Sequence, residues 1–260
     1  MPMITTDDGC PIYVEISGSD SAPPLMLSNS LGTNIHMWDD QAGEWSKHFR
    51  VIRYDRRGHG KSGAPDGPYS MERLGRDAVA VLDALKIEKT NWCGLSMGGM
   101  VGQWLGAHAP SRIGKLILSN TNSHYADKTI WEDRIRFLAT NGLDKLVDPN
   151  MERWFTADFR AGAPQAVARM KEIFLTTDKN GYAACCAAIR DMDFRNSNPS
   201  ITAPTLVIVG AKDPATPPAQ GEAIAAQIKG AKLISFDAAH IANMEQPAPY
   251  AKAVLDFLKD

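Results

Sequence analysis

The sequence predicts an α/β fold: a mostly parallel sheet of eight strands flanked by helices, with a helical block inserted before the last strands. Three observations predict it. Strand-like apolar stretches alternate with segments of helical periodicity over residues 25–122 and again over 205–260. The alternation breaks between about residues 125 and 198, where the pattern is helical and no clear strand occurs. Between them, an apolar approach at 90–93 and a helical run at 100–105 flank Gly94-Leu95-Ser96-Met97-Gly98, small residues on both sides of a serine at a strand-to-helix turn.

Taken in order, residues 2–6 and 11–17 read as strands around an Asp7-Asp8-Gly9 turn, an antiparallel hairpin opening. A buried strand starts at 25–28, and 39–48 has helix periodicity. The strand 50–54 runs into Asp55-Arg56-Arg57-Gly58-His59-Gly60-Lys61-Ser62, too polar and glycine-rich to continue it. An amphipathic helix spans 71–85, with Ser70 as its N-cap. After the Ser96 turn a helix runs to about Ala109, stopped by Pro110, and a strand follows at 113–119. Turns are expected within the helical block at Asn141-Gly142, Asp148-Pro149 and Gly162-Ala163-Pro164. Then come a strand at 205–210, a helix at about 218–228, a strand at 232–236 and a closing helix at 247–259. The expected organisation is a core of residues 1–122 and 199–260 with a helical cap of 123–198 over the carboxyl edge of the sheet.

Composition excludes several classes. The 260 residues are 44% hydrophobic and suit one large domain. The net charge of −2, with no run of basic residues, argues against nucleic acid. Four scattered cysteines form neither a disulfide framework nor a metal cluster, as expected of buried thiols in a reducing compartment. No stretch approaches the roughly 20 apolar residues of a membrane span, and the N-terminus lacks the pattern of a signal peptide. The expected location is the cytoplasm. Both a monomer and a homo-oligomer remain open.

A nucleophilic serine needs a general base, and the base an orienting acid. Of six histidines, His240 lies just past the final strand, on the sheet rim that carries Ser96. His36 and His124 lie near the same rim, while His48 and His108 fall elsewhere. Asp213, three residues past the strand 205–210 and followed by Pro214, is the expected acid, with Asp237 as a weaker rival. The Met97 amide, next to the nucleophile, and the Leu31 amide, in the loop after the strand 25–28, are the expected oxyanion donors, although a plain turn would also use Gly32.

With these residues in place, the chain resembles the α/β-hydrolase superfamily and, more narrowly, the 3-oxoadipate enol-lactonases of the β-ketoadipate pathway of aromatic degradation. Superfamily-wide motifs are the Ser96 turn and the loop 55–62. More selective are Ser28-Asn29-Ser30-Leu31-Gly32, Glu152-Arg153-Trp154-Phe155-Thr156, the segment 181–191 and the histidine loop 239–247. The resemblance implies Ser96, Asp213 and His240 as a catalytic triad, Leu31 and Met97 at the oxyanion hole, and an acyl-enzyme route that opens a carboxylate-bearing lactone to 3-oxoadipate without metal or organic cofactor. It also implies a tryptophan and an arginine in the first cap helix. Trp131 and Arg134, three residues apart, fit, and Arg134 is the expected clamp for the substrate carboxylate; its alternative is a surface pair with Glu132 or Asp133. Trp154 is expected in the cap core more than at the substrate. Arg56, His59 and Asp55 are expected as loop architecture. Rival readings are a general carboxylesterase or perhydrolase-like enzyme, a carbon–carbon bond hydrolase of ring-fission products, and a hydrolase-fold receptor without turnover.

Overall fold

The computed structural model describes residues 3–260. The opening hairpin is β1 (Met3–Thr5) against β2 (Pro11–Ser17), antiparallel as expected; residue 2 lies outside the described residues. Next come β3 (Pro24–Ser28), α1 (Asp39–Trp45) and β4 (Arg50–Tyr54). The helix expected over 39–48 stops at Trp45, and the rest is a turn held by backbone bonds such as His48 N to Trp45 O at 3.0 Å. Helix α2 (Met71–Ala84) begins at Ser70, whose side chain accepts the Arg73 N–H. Then follow β5 (Thr90–Leu95), α3 (Met97–His108) and β6 (Ile113–Ser119).

The block between β6 and the next strand contains α4 (Thr129–Asn141), α5 (Val147–Trp154), α6 (Ala157–Gly162), α7 (Pro164–Leu175) and α8 (Lys179–Asp191). The turn expected at Asp148-Pro149 is instead the first turn of α5. Proline is tolerated there because its missing N–H would have no intrahelical acceptor. The chain returns through β7 (Thr205–Gly210), α9 (Pro218–Gln227), β8 (Lys232–Phe236), α10 (Ala242–Glu245) and α11 (Pro247–Lys259).

The strands form one eight-stranded sheet in the order β1-β2-β4-β3-β5-β6-β7-β8. Pairing is antiparallel from β1 through β2 to β4 and parallel from there on. The central strands are buried on both faces, so β3 and β7 read as near-continuous apolar runs rather than alternating ones. Because β3, β5, β6, β7 and β8 run parallel, the segments that leave their carboxyl ends share one rim. No described helix is long and apolar enough to cross a membrane.

One packing requirement bears on the site. The start of α3 lies so close to β3 and β5 that a Cβ on Gly98 would sit 2.1 Å from Ser28 O, and one on Gly94 2.1 Å from Gly98 O. Backbone atoms cannot yield as side chains do. Gly98→Ala is therefore expected to destabilise the fold by about 3 kcal/mol and lower the melting temperature by about 6–12 °C; a thermal melt within about 2 °C of the parent protein would refute this packing argument.

Candidate active site

Ser96 is the single residue between β5 and α3, with φ 55° and ψ −116°. A non-glycine residue held there stores strain of order 1–3 kcal/mol, so its neighbours must hold it. Ser96 N donates to Ser119 O at 2.8 Å, and Thr121 Oγ1 donates to Ser96 O at 2.7 Å. Both backbone groups of the strained residue are thus tied to β6 and its extension.

The loop after β8 carries His240, and the turn after β7 carries Asp213; both are buried. His240 Nδ1 lies 2.8 Å from Asp213 Oδ2. A carboxylate only accepts, so Nδ1 holds the proton and Nε2 is left as the basic nitrogen. Asp213 Oδ1 accepts the N–H groups of Ala215 (2.8 Å) and Thr216 (3.0 Å). Its Oδ2 accepts the Thr216 hydroxyl (2.7 Å) and Asn120 Nδ2 (3.0 Å) besides the imidazole. Burial alone would raise the Asp213 pKa, but the His240 charge and these donors outweigh it and hold the carboxyl below its ordinary value. Asn120 also donates to Ala239 O at 3.2 Å, next to the base, and does so from a left-handed backbone with φ 45°.

Ser96, His240 and Leu31 line one cavity, together with Ser30, Trp131, Arg134, Arg153 and Tyr182. No hydrogen bond joins the Ser96 hydroxyl to His240 in this structure. At the reacting end, Met97 N opens α3 and so has no intrahelical acceptor. In the loop after β3, Ser30 N is engaged by Met37 Sδ at 3.2 Å and Gly32 N by His59 Nε2 at 2.9 Å. The Leu31 N–H between them has no acceptor among the described residues.

The far end is built from the inserted helices and is rich in donors. Arg134 Nη1 donates to Tyr182 Oη at 3.0 Å, and its guanidinium lies 5.4 Å from the Trp131 ring centre. Asp133 pairs with Arg136 instead, and neither Asp133 nor Glu132, the two surface partners considered, forms an ion pair with Arg134 among the described residues. Arg153 lines the same cavity from α5. Neither Arg134 nor Arg153 has a carboxylate partner among the described residues. Burial first, and the Arg134 charge second, push the Arg153 pKa down. For Arg134 burial acts in the same sense, but Tyr182 and Cys186 outweigh it and the net direction is up. The buried Nε1 of Trp131 and Nδ2 of Asn150, a further lining residue, make no hydrogen bond among the described residues. The free volume is about 30 Å³, room for a water or two, so a ring-sized ligand requires the arginine side chains or their helices to move aside. Trp154 both lines the cavity and packs edge-on against Phe174, 5.7 Å between ring centres.

A family model described as alpha/beta hydrolase fold matches residues 23–193. The chain belongs to the α/β-hydrolase family. A second model, described as TAP-like protein, matches residues 174–260. The chain of this α/β-hydrolase is 38% identical to 3-oxoadipate enol-lactonase 2 of Acinetobacter baylyi, over 93% of this chain and 91% of that protein. It is 35% identical to 3-oxoadipate enol-lactonase 1 of the same organism, over 99% and 96%. The crystal structure of the enol-lactonase from Burkholderia xenovorans LB400 is similar over 100% of both chains, with a TM-score of 0.97 and 42% identity.

The other sequence candidates of this α/β-hydrolase lie away from the cavity. Asp237 is exposed and paired with Lys212 at 2.8 Å. His36 pairs with Asp39 at 3.1 Å, and His124 forms an isolated bridge with Asp193. His108 stacks on Trp104 at the end of α3, and His48 is exposed. Asp55 holds its loop by accepting the N–H groups of Ile35 and Lys61, and Arg56 donates to Asn29 O. Sequence reasoning missed Asn120, Thr216 and Arg153. The polar run Ser119-Asn120-Thr121-Asn122 at the end of an apolar strand was a usable signal for the first. Arg153 lay within the selective segment Glu152-Arg153-Trp154-Phe155-Thr156, and that segment was its usable signal.

Proposed function

We propose that this α/β-hydrolase is a serine hydrolase that opens 3-oxoadipate enol-lactone to 3-oxoadipate through an acyl-enzyme. The observation that carries the reading is the pairing, in one cavity, of the Ser96 and His240 edge with two arginines that lack carboxylate partners. A general esterase gains nothing from two cations desolvated beside its nucleophile. A substrate carboxylate satisfies both them and the free Trp131 Nε1. The names of the relatives, 3-oxoadipate enol-lactonases, support this lactone as the substrate; its five-membered ring bears a carboxymethyl group.

In this mechanism Ser96 Oγ attacks the lactone carbonyl as His240 Nε2 takes its proton, and Asp213 stabilises the imidazolium. The Leu31 and Met97 N–H groups receive the negative oxygen. The ring C–O bond breaks with an enolate as leaving group, which His240 protonates, and the enol relaxes to the ketone. Water, deprotonated by His240, then releases the acid from Ser96. Residues 123–198 act as a cap that carries the carboxylate-binding end.

The test is steady-state ring opening of the lactone beside an uncharged ester of similar size, with Arg134→Ala and Arg153→Ala. Each variant is expected to lose about 10–100-fold in kcat/KM on the lactone, the worth of a charge-assisted hydrogen bond. On the ester each is expected to change less than about threefold. Equal losses on both substrates would favour a general carboxylesterase.

A further inference from the structure

We propose that His59 is a positioning residue for the oxyanion hole: it accepts the Gly32 N–H and thereby aims the adjacent Leu31 N–H at the reacting oxygen. The inference rests on the serine mechanism proposed above, though not on the identity of the lactone.

His59 belongs to the loop after β4, yet its ring is 1% exposed and reaches across to the loop after β3. Its Nε2 lies 2.9 Å from Gly32 N and its Nδ1 3.2 Å from Arg57 O. An N–H can only donate and a carbonyl can only accept, so Nε2 carries the lone pair and Nδ1 the proton. One tautomer is therefore dictated from both sides. Burial first, and the Arg56 charge second, push the His59 pKa down to about 3, so the lone pair is available at any working pH. His59 is thus no proton carrier here; it is a fixed acceptor.

What it fixes is Gly32, whose N–H has no other acceptor among the described residues. Gly32 has φ 76°, and a Cβ on it would meet Phe174 at 2.7 Å and Tyr182 at 3.0 Å. Gly32 is thus pressed against α7 and α8 and has no side chain with which to anchor itself. On the other flank of Leu31, Met37 Sδ takes Ser30 N, and Thr33 N donates to Ser30 O at 3.3 Å. The result is three consecutive N–H groups of which only the middle one, Leu31, lacks an acceptor among the described residues. The His59 ring also lies nearly parallel to that of Tyr182, 6.5 Å between centres, and Tyr182 receives the Arg134 hydrogen bond. One imidazole therefore touches both the loop that meets the reacting oxygen and the phenol beside the carboxylate-binding end. Without the acceptor, the buried Gly32 N–H must find another partner, and the turn rotates with it. A misaimed donor weakens the transition state, where the oxygen carries charge, far more than the bound substrate.

The experiment compares His59→Gln with His59→Asn. Glutamine carries its oxygen near the position of Nε2 and can still accept from Gly32; asparagine reaches only as far as Nδ1. Measured are kcat and KM on the lactone and on p-nitrophenyl acetate, the rate of Ser96 phosphorylation by diisopropyl fluorophosphate, and thermal melts. His59→Asn is expected to lower kcat and the phosphorylation rate about 10–100-fold with KM within about threefold. His59→Gln is expected to recover most of that loss. Equal losses in two folded variants, or a loss confined to KM, would overturn the proposal. Should the asparagine variant not fold, a folded glutamine variant decides: kcat within about threefold of the parent supports the acceptor role, and a larger loss overturns it. A parent enzyme that cleaves p-nitrophenyl acetate but not the lactone would remove the substrate reading and leave this comparison intact. A parent protein with no turnover and no labelling of Ser96 would remove both.

Discussion

Replacing Ser96 by alanine is expected to lower kcat by a factor on the order of 10⁴–10⁶, with KM nearly unchanged. The hydroxyl is the nucleophile in the mechanism proposed, and no other serine can take over. Ser30 also lines the cavity, but its backbone sits in the oxyanion loop and not on the strained turn. The same position offers a stability readout that activity cannot give. With φ 55° and ψ −116°, Ser96 occupies a conformation that glycine adopts without strain. Ser96→Gly is therefore expected to be inactive and yet more stable than Ser96→Ala by about 1 kcal/mol, measured by urea unfolding. A glycine variant no more stable than the alanine one would show that the turn stores no strain.

Asp213→Asn is expected to lower kcat about 10⁴-fold. Both Asp213 oxygens are surrounded by donors: two backbone N–H groups on one, and Thr216, Asn120 and His240 on the other. An amide must turn its NH₂ toward one of these sets. Facing His240, it donates to Nδ1 and drives the proton to Nε2, so the imidazole confronts Ser96 with a hydrogen rather than a lone pair. Donor against donor is also expected to lower stability by about 1–3 kcal/mol at neutral pH. The pH dependence has a definite sign. The folded-state pKa of Asp213 lies below its unfolded value, so its contribution is fully present above the unfolded value, about 3.9, and is lost as pH falls through the folded one. Melting temperatures from pH 6 to pH 3 should therefore fall more steeply for the parent protein than for Asp213→Asn. Parallel curves would mean that the carboxylate has no such stabilising role.

Most of the architecture was legible before any coordinates. The strands 113–119, 205–210 and 232–236 and the helix 247–259 have the boundaries that their apolar runs indicate. The runs 113–119 and 205–210 are readable because a strand buried on both faces can contain little else, whereas 232–236 is a more exposed strand at the sheet edge. Where the reading slipped, a local rule had two outcomes. Pro149 ends helices in general but here begins one, and α1 closes at Trp45 although its periodicity continues.

Within the candidate site the division follows the same physics. Ser96, Asp213 and His240 could be named from the chain because each follows a recognisable strand, and strand order fixes which rim their loops share. The sequence by itself also called for small residues at 94 and 98 on either side of Ser96; the structure supplies the reason, since a Cβ at either would meet backbone atoms. Only the tertiary structure decided that Asn120, from a third strand end, holds both Asp213 and the histidine loop. It alone decided that Arg153 comes beside Arg134 with no carboxylate among the described residues to neutralise either, and that His59, 27 residues from Gly32, accepts the Gly32 N–H in the loop after β3. These relations join segments distant in the chain. Local propensity and spacing describe what one segment does with its own backbone, and they contain no term for which foreign donor or charge will be pressed against it when the sheet closes.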